Sequence, residues 1–125
     1  MPEVAIPKLT IPILKNIVTD AAKLSPHITA VGLVGSYARG QQQHCSDVDL
    51  IVKTDNSIKF QAILESFGEY VHHVLDYQFN KKLDLVRYDL VEERANRDPH
   101  ENETWFYREG FTQMLNEVEW LYEKG

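Results

Sequence analysis

Three aspartates in this chain have the spacing of a metal site. Asp47 and Asp49 lie two positions apart in a segment whose apolar and polar residues alternate, so on a β-strand both carboxylates leave the same face. Asp84 lies in another alternating segment, with Asp76 and Asp89 as nearby alternatives. Hard oxygen ligands suit Mg²⁺. On neighbouring strands, three such carboxylates would form the two-ion site that clamps the attacking and leaving oxygens of a phosphoryl displacement.

A Gly-Ser pair ahead of these acids supplies the features of an anion site. Gly35 and Ser36 follow a mostly apolar, β-branched segment that predicts a buried strand. A glycine there lets the backbone approach a ligand, and the next helical turn presents N–H groups to a phosphate. Arg39, one turn further on, either contacts a phosphate or forms a structural ion pair, and the sequence leaves both roles open. No Gly-Lys-Ser/Thr follows, so this is not a Walker P-loop.

The whole stretch from residue 35 to residue 50 has a family resemblance. It reads GSYARGQQQHCSDVDL, which resembles the signature of the DNA polymerase beta-like nucleotidyltransferase superfamily: Gly-Ser, ten residues, Asp-x-Asp, and a third aspartate on a later strand. The fuller form, with Ala-Arg-Gly and Ser-Asp-x-Asp-Leu, is similar to the minimal nucleotidyltransferases of prokaryotes. These are often paired with a helical HEPN-type partner in toxin–antitoxin modules.

The resemblance implies a role for each motif residue. Asp47 and Asp49 would ligate two Mg²⁺ ions, and Asp84 would be the third carboxylate, binding one ion and helping to deprotonate the acceptor hydroxyl. The implied nucleotide-binding residues are Gly35, Ser36, Arg39 and Ser46. The implied reaction transfers a nucleoside monophosphate from ATP or another nucleoside triphosphate, with AMP as the first choice, to a hydroxyl acceptor, and pyrophosphate leaves.

The identity of the acceptor stays open at this stage. Little chain follows Asp84, so we expect a second copy or a HEPN-like protein to complete the acceptor site. One alternative is an antitoxin that neutralises a helical partner by binding alone. Another is a homodimeric enzyme that modifies a small molecule such as an aminoglycoside. Trp105 and Trp120 lie off the apolar stripe of the predicted last helix, which favours an interface role for at least one of them.

Composition limits the class of protein. The 125 residues predict a single domain. The net charge of −6 argues against long nucleic acid as a partner. The single cysteine, Cys45, cannot form an internal disulfide, and no signal peptide or membrane-length apolar segment is evident. We therefore expect a cytoplasmic location and no membrane partner.

The elements that would position the site follow from periodicity and from turn residues. The predicted strands cover 28–34, 46–53 and 83–88, and the predicted helices cover 10–24, 60–75 and 99–123. Residues 1–9 predict an irregular arm, 92–96 one helical turn, and a further strand is considered at 77–79 or near Val91. This order predicts an α/β or α+β fold, with a small mixed sheet flanked by helices.

Overall fold

The sheet is mixed, and it confirms the predicted fold class. The computed structural model describes residues 7–35, 37–40, 47–96 and 105–125, with side chains of the last range described from residue 110. The described strands are β1 (Ile28–Val34), β2 (Val48–Thr54), β3 (Leu83–Arg87) and β4 (Glu119–Glu123). They pair in the order β3-β2-β1-β4. β1 is antiparallel to β2 and β4, whereas β2 and β3 are parallel.

The helices occupy the two faces of this sheet. They are α1 (Ile11–Ala22), α2 (Phe60–Ile63), a π-helical turn (Leu64–Gly68), α3 (Glu69–Phe79), α4 (Tyr88–Ala95) and α5 (Trp105–Glu117). α1, the π-helical turn and α3 pack with Val48, Leu50 and Val52 in the larger core. α4 and α5 pack with Val34 and Ile51 in the smaller one. Because side chains alternate along a strand, Asp49 faces the same side of the sheet as Ile51.

α1 shows how local signals set a helix start. The Thr10 hydroxyl accepts a hydrogen bond from the Ile13 N–H at 3.4 Å, and Pro12 lies in the first turn, where its missing N–H costs nothing. Leu14 and Val18 face the core and are fully buried. The helix predicted over 10–24 is therefore confirmed, but it ends at Ala22, and Leu24 is exposed. The predicted arm ends at Leu9, which is also buried, and its residues 1–6 lie outside the described residues.

The predicted C-terminal helix, 99–123, is wrong over its last six residues. The helix ends at Glu117, and Glu119–Glu123 form β4 against β1 instead of continuing to residue 123. The apolar and aromatic residues here fit either period. The strand forms because it pairs with the open edge of β1. This pairing satisfies backbone groups of β1 that a helix packed on the sheet would leave unpaired. Residues 99–104 of the predicted helix lie outside the described residues.

Both places considered for a further strand are also wrong. Residues 77–79 form the last turn of α3, and Val91 lies inside α4. α4 is longer than the single turn predicted for 92–96, because it begins directly where β3 ends. Among the described residues, no helix has the length and apolar character to cross a membrane.

Candidate active site

Asp49 and Asp84 are brought together by the parallel pairing of β2 and β3. They are direct partners in the register. Each is the second residue of its strand, so the pair lies at one end of the sheet. Their side chains are close enough for Asp84 to raise the pKa of Asp49. Asp49 is half-buried and Asp84 is exposed. Of the three aspartates considered for the third position, Asp84 is thus the one beside the Asp-x-Asp motif.

The electrostatics of Asp49 follow from this placement. Burial is the largest cause of the shift at Asp49, followed by the negative charge of Asp84, hydrogen bonding with Asp84 and the negative charge of Asp47. Together these causes raise the pKa of Asp49 from its ordinary value of 3.8 to about 6. The positive charge of Arg39 acts in the opposite direction. Below about pH 6 Asp49 is therefore mostly protonated. At higher pH its negative charge lies beside other acids, where a cation would stabilise it.

Gly35 meets the same carboxylate from the neighbouring strand. Val34, at the end of β1, is the register partner of Asp49. Gly35 follows with a φ of +77°, and a Cβ at this position would overlap Oδ2 of Asp49. Only glycine satisfies both constraints without strain. The glycine predicted as a ligand approach is therefore also the residue that makes room for the Asp49 carboxylate.

A tight turn continues from Gly35. The Arg39 N–H donates to the Gly35 carbonyl at 3.1 Å, and the Gly40 N–H donates to the Tyr37 carbonyl at 3.3 Å. The Tyr37 side chain is buried in the larger core, which fixes the turn against the sheet. Ser36 and Ser46, both predicted to bind nucleotide, lie outside the described residues.

Arg39 forms an ion pair across the chain. Its Nη1 lies 3.2 Å from Oε2 of Glu117, the last residue of α5. Arg39 is also near enough to Asp49 to lower its pKa. The ion-pair role that the sequence left open is therefore present. Sequence reasoning missed Glu117, because its partner lies 78 positions away and no local pattern marks it.

The acidic end of the sheet fits a hard divalent cation in part. Within the described residues, no three His, Cys, Asp or Glu side chains are already arranged to hold a metal ion. Two of the three predicted ligands, Asp49 and Asp84, are side by side. Asp47 is exposed just before β2, close enough for its charge to raise the pKa of Asp49. Carboxylate oxygens are ligands that Mg²⁺ favours, and a cation would offset the like charges that help to raise the pKa of Asp49.

A groove opens beside Asp84. It has a volume of about 260 Å³. Its lining consists of Asp84 and the residues Leu64, Gly68, Glu69, His72, Leu83 and Leu85. The π-helical turn forms one wall, and a Cβ on Gly68 would lie 3.0 Å from Cδ1 of Leu85, so the wall packs closely on β3. π-Helical turns are frequent at functional sites. Leu83 and Leu85 pack in the larger core, so the groove lies on the α3 face of β3. The side chain of Asp84 alternates with them and lies on the face that it shares with Asp49.

Fold and site together define a nucleotidyltransferase. The family model "Polymerase beta, Nucleotidyltransferase" matches residues 15–101, and the chain belongs to this family. A candidate protein adenylyltransferase of Methanocaldococcus jannaschii is 29% identical over 86 residues, which are 69% of this chain and 74% of the relative.

The fold is shared by solved structures that include two toxin–antitoxin complexes. One is the Shewanella oneidensis complex of a tri-AMPylated HEPN toxin with its MNT antitoxin, with a TM-score of 0.52, 14% identity, and coverage of 92% of this chain and 74% of the other. The other is a mutant MntA toxin–antitoxin complex, with a TM-score of 0.51, 15% identity, and coverage of 93% and 75%. The family resemblance of the 35–50 motif is thus confirmed.

Proposed function

We propose that this chain transfers the adenylyl group of ATP to a hydroxyl group on a partner protein, with Mg²⁺ as the cofactor. One observation carries the proposal: the Asp49–Asp84 pair lies directly beside Gly35, at the end of the sheet where the Gly-Ser turn begins. This juxtaposition puts a candidate triphosphate site and two candidate metal ligands at one place.

Each residue has a role in this proposal. The Gly35 turn, Ser36 and Ser46 hold the triphosphate, and Arg39 contributes a positive charge. Asp47, Asp49 and Asp84 hold two Mg²⁺ ions, which would supply charge neutralisation at the phosphates.

The acceptor hydroxyl approaches Asp84, which is exposed on β3, an edge strand of the described sheet. The Asp84 carboxylate takes the proton of this hydroxyl. The acceptor oxygen then bonds to the α-phosphorus, the bond from that phosphorus to the bridging oxygen breaks, and pyrophosphate leaves.

The choice of ATP and of a protein acceptor rests on the relatives. The Methanocaldococcus jannaschii relative is named for protein adenylylation, and one fold neighbour is bound to a toxin that carries AMP groups. A HEPN-like helical protein is therefore the first acceptor to test.

The test compares labels on two phosphates. The chain is incubated with Mg²⁺, the product of its neighbouring gene, and ATP labelled at either the α- or the γ-phosphate. The proposal expects protein-bound label from the α-phosphate only. Asp49→Asn and Asp84→Asn should abolish it, whereas Asp76→Asn, which changes an exposed acid on α3, should not. If no nucleoside triphosphate labels protein, adenylyl transfer is wrong.

A second function, neutralisation of a partner by binding alone, is favoured by one surface feature. Trp120 is 38% exposed on β4, the edge strand of the described sheet, with Tyr88 beside it at a ring distance of 5.9 Å. The side chain of Trp105 lies outside the described residues. Under this function Asp49→Asn still neutralises the partner and Trp120→Ala does not. Adenylyl transfer expects the reverse.

A further inference from the structure

We infer that Glu117 is a positioning residue that holds the Arg39 guanidinium at the triphosphate site and keeps it from neutralising Asp49. The inference rests on the proposed function and extends it to α5, a helix that contributes no residue to the nucleotide motif.

Glu117 is held at both of its carboxylate oxygens. Oε2 accepts from Nη1 of Arg39 at 3.2 Å, and Oε1 accepts from Nε2 of Gln113 at 2.8 Å. The Glu117 side chain is only 23% exposed, whereas that of Arg39 is 40% exposed. A carboxylate fixed in this way offers Arg39 a defined geometry, which a solvated surface pair does not.

The location of Glu117 is costly without such a partner. It is the last residue of α5, where the helix dipole is negative and an acidic side chain is unfavourable. The pairing with Arg39 offsets this cost. The segment that follows is anchored on β1, because a Cβ on Gly32 would meet Cε3 of Trp120 at 3.1 Å and would overlap Cγ1 of Val118. Glu117 is therefore fixed relative to β1, the strand that leads into Gly35.

Arg39 has a second anion within its electrostatic reach. Its charge lowers the pKa of Asp49, so the two groups attract each other. Without the opposite charge of Glu117, the positive charge of Arg39 would act more strongly on the acidic pair at Asp49 and Asp84 and would compete there with a cation. Glu117 thus separates two charges that the proposed reaction needs apart: the guanidinium for the phosphates and the carboxylates for Mg²⁺.

The experiment measures two affinities by titration calorimetry, for Mg²⁺ alone and for ATP with Mg²⁺. Glu117→Gln is expected to weaken both by about ten-fold, the size of one charge-assisted contact. Adding Arg39→Gln to Glu117→Gln should restore the affinity for Mg²⁺ and leave ATP binding weak. Glu65→Gln is the matched control, since Glu65 also accepts from a glutamine four positions away, at 3.2 Å. It should change neither affinity.

If Glu117 has only a structural role, other measured quantities should change. It would lower the thermal midpoint of Glu117→Gln without changing its affinities, and the second substitution would not recover Mg²⁺ binding. Should Glu117→Gln not fold, the charge-exchanged pair R39E/E117R keeps the ion pair. This variant should fold, and it should bind ATP at least ten-fold more weakly than the natural chain, since it loses about the same contact energy.

The two proposals fail in different ways. A natural chain that binds ATP with Mg²⁺, with a Glu117→Gln variant that binds both ligands equally well, overturns the role of Glu117 alone. A natural chain that binds no nucleoside triphosphate overturns the proposed function, and the role of Glu117 with it.

Discussion

Two aspartates at opposite ends of β2 have opposite electrostatic properties. Asp49 lies at the start of the strand, where burial and neighbouring acids raise its pKa to about 6. Asp55 follows the end of the strand, where hydrogen bonds from the Ser57 hydroxyl and then the Ser57 N–H lower its pKa to about 2. The two side chains are six positions apart in sequence, so their surroundings cause the difference.

The carboxylate of Asp55 is satisfied by hydrogen bonds from within the chain. Oδ1 of Asp55 accepts from the Ser57 hydroxyl at 2.6 Å and from the Ser57 N–H at 2.9 Å, and Nδ1 of His27 lies 3.2 Å from Oδ2. Such a group stabilises a turn and needs no ligand. At the Asp49 end, the nearest side-chain partner is another acid. A carboxylate that the fold places among like charges is a functional-site candidate, and a carboxylate that the fold saturates with donors is a structural one.

The largest expected effect is on transfer activity. Asp49→Asn and Asp84→Asn should each lower the rate of adenylyl transfer by about a thousand-fold or more, the loss typical when a group that acts on the developing charge is removed. Asp55→Asn should leave the rate within about two-fold, because its effects stay in the turn. The α-phosphate labelling assay measures all three. Equal loss in Asp49→Asn and Asp55→Asn would contradict the distinction between the two ends.

The second expected effect separates backbone strain from steric overlap at the site. Gly35 and Gly40 both have positive φ, +77° and +69°, but only a Cβ on Gly35 meets Asp49, while one on Gly40 meets nothing within 4 Å. Gly40→Ala should cost about 1 kcal/mol of unfolding free energy, from φ alone. Gly35→Ala should cost more, about 2–3 kcal/mol, and should also weaken ATP binding.

Urea unfolding and titration calorimetry check these two variants. Equal losses of stability, with unchanged ATP binding in both, would show that the contact between Gly35 and Asp49 has no role in the site.

The sequence predicts the residues of this candidate site better than it predicts the helices and strands around them. β1 has the predicted bounds, Ile28 to Val34, because an apolar, β-branched run ended by glycine is a local signal. The motif carries Gly35, Asp47 and Asp49 within fifteen residues. The contacts that the motif does not contain are long-range. The pairing of Asp49 with Asp84, for example, depends on the parallel crossover from β2 to β3.

The C-terminal region shows why the remainder was not predictable. Residues 118–123 fit a helical stripe and a strand equally well, and β4 forms because β1 has an edge to pair. Glu117 ends α5 with no local mark, and its partner Arg39 precedes it by 78 positions. A pattern within one segment cannot contain information about a partner in another, so both features required the structure.

A third prediction concerns stability without metal. Because the pKa of Asp49 is raised in the folded state, the folded chain binds the extra proton, and stability falls as pH rises from about 4 to about 6. Asp49→Asn removes this penalty. In a chelating buffer at pH 7.5 it should be more stable than the natural chain by about 1 kcal/mol, a value reduced for the partial exposure of the group.

At pH 4 this difference should vanish. Thermal unfolding across the pH range measures it, and added Mg²⁺ should narrow it at pH 7.5 by stabilising only the natural chain. A natural chain that is more stable than Asp49→Asn in the chelating buffer at neutral pH would contradict the raised pKa.

The smallest expected effect has the opposite sign and comes from the other end of β2. Because the pKa of Asp55 is lowered in the folded state, its contribution to stability is complete above about pH 4 and is lost as pH falls toward 2. Asp55→Asn should therefore lower the thermal midpoint slightly at pH 7.5 and not at pH 2, with Asp76→Asn as the exposed control. Added Mg²⁺ should not change the difference, since the donors of Ser57 and His27 already satisfy this carboxylate. If added Mg²⁺ changes the difference in midpoint between the natural chain and Asp55→Asn, both ends of β2 bind cations, and the contrast between a saturated and an unsatisfied carboxylate no longer identifies the site.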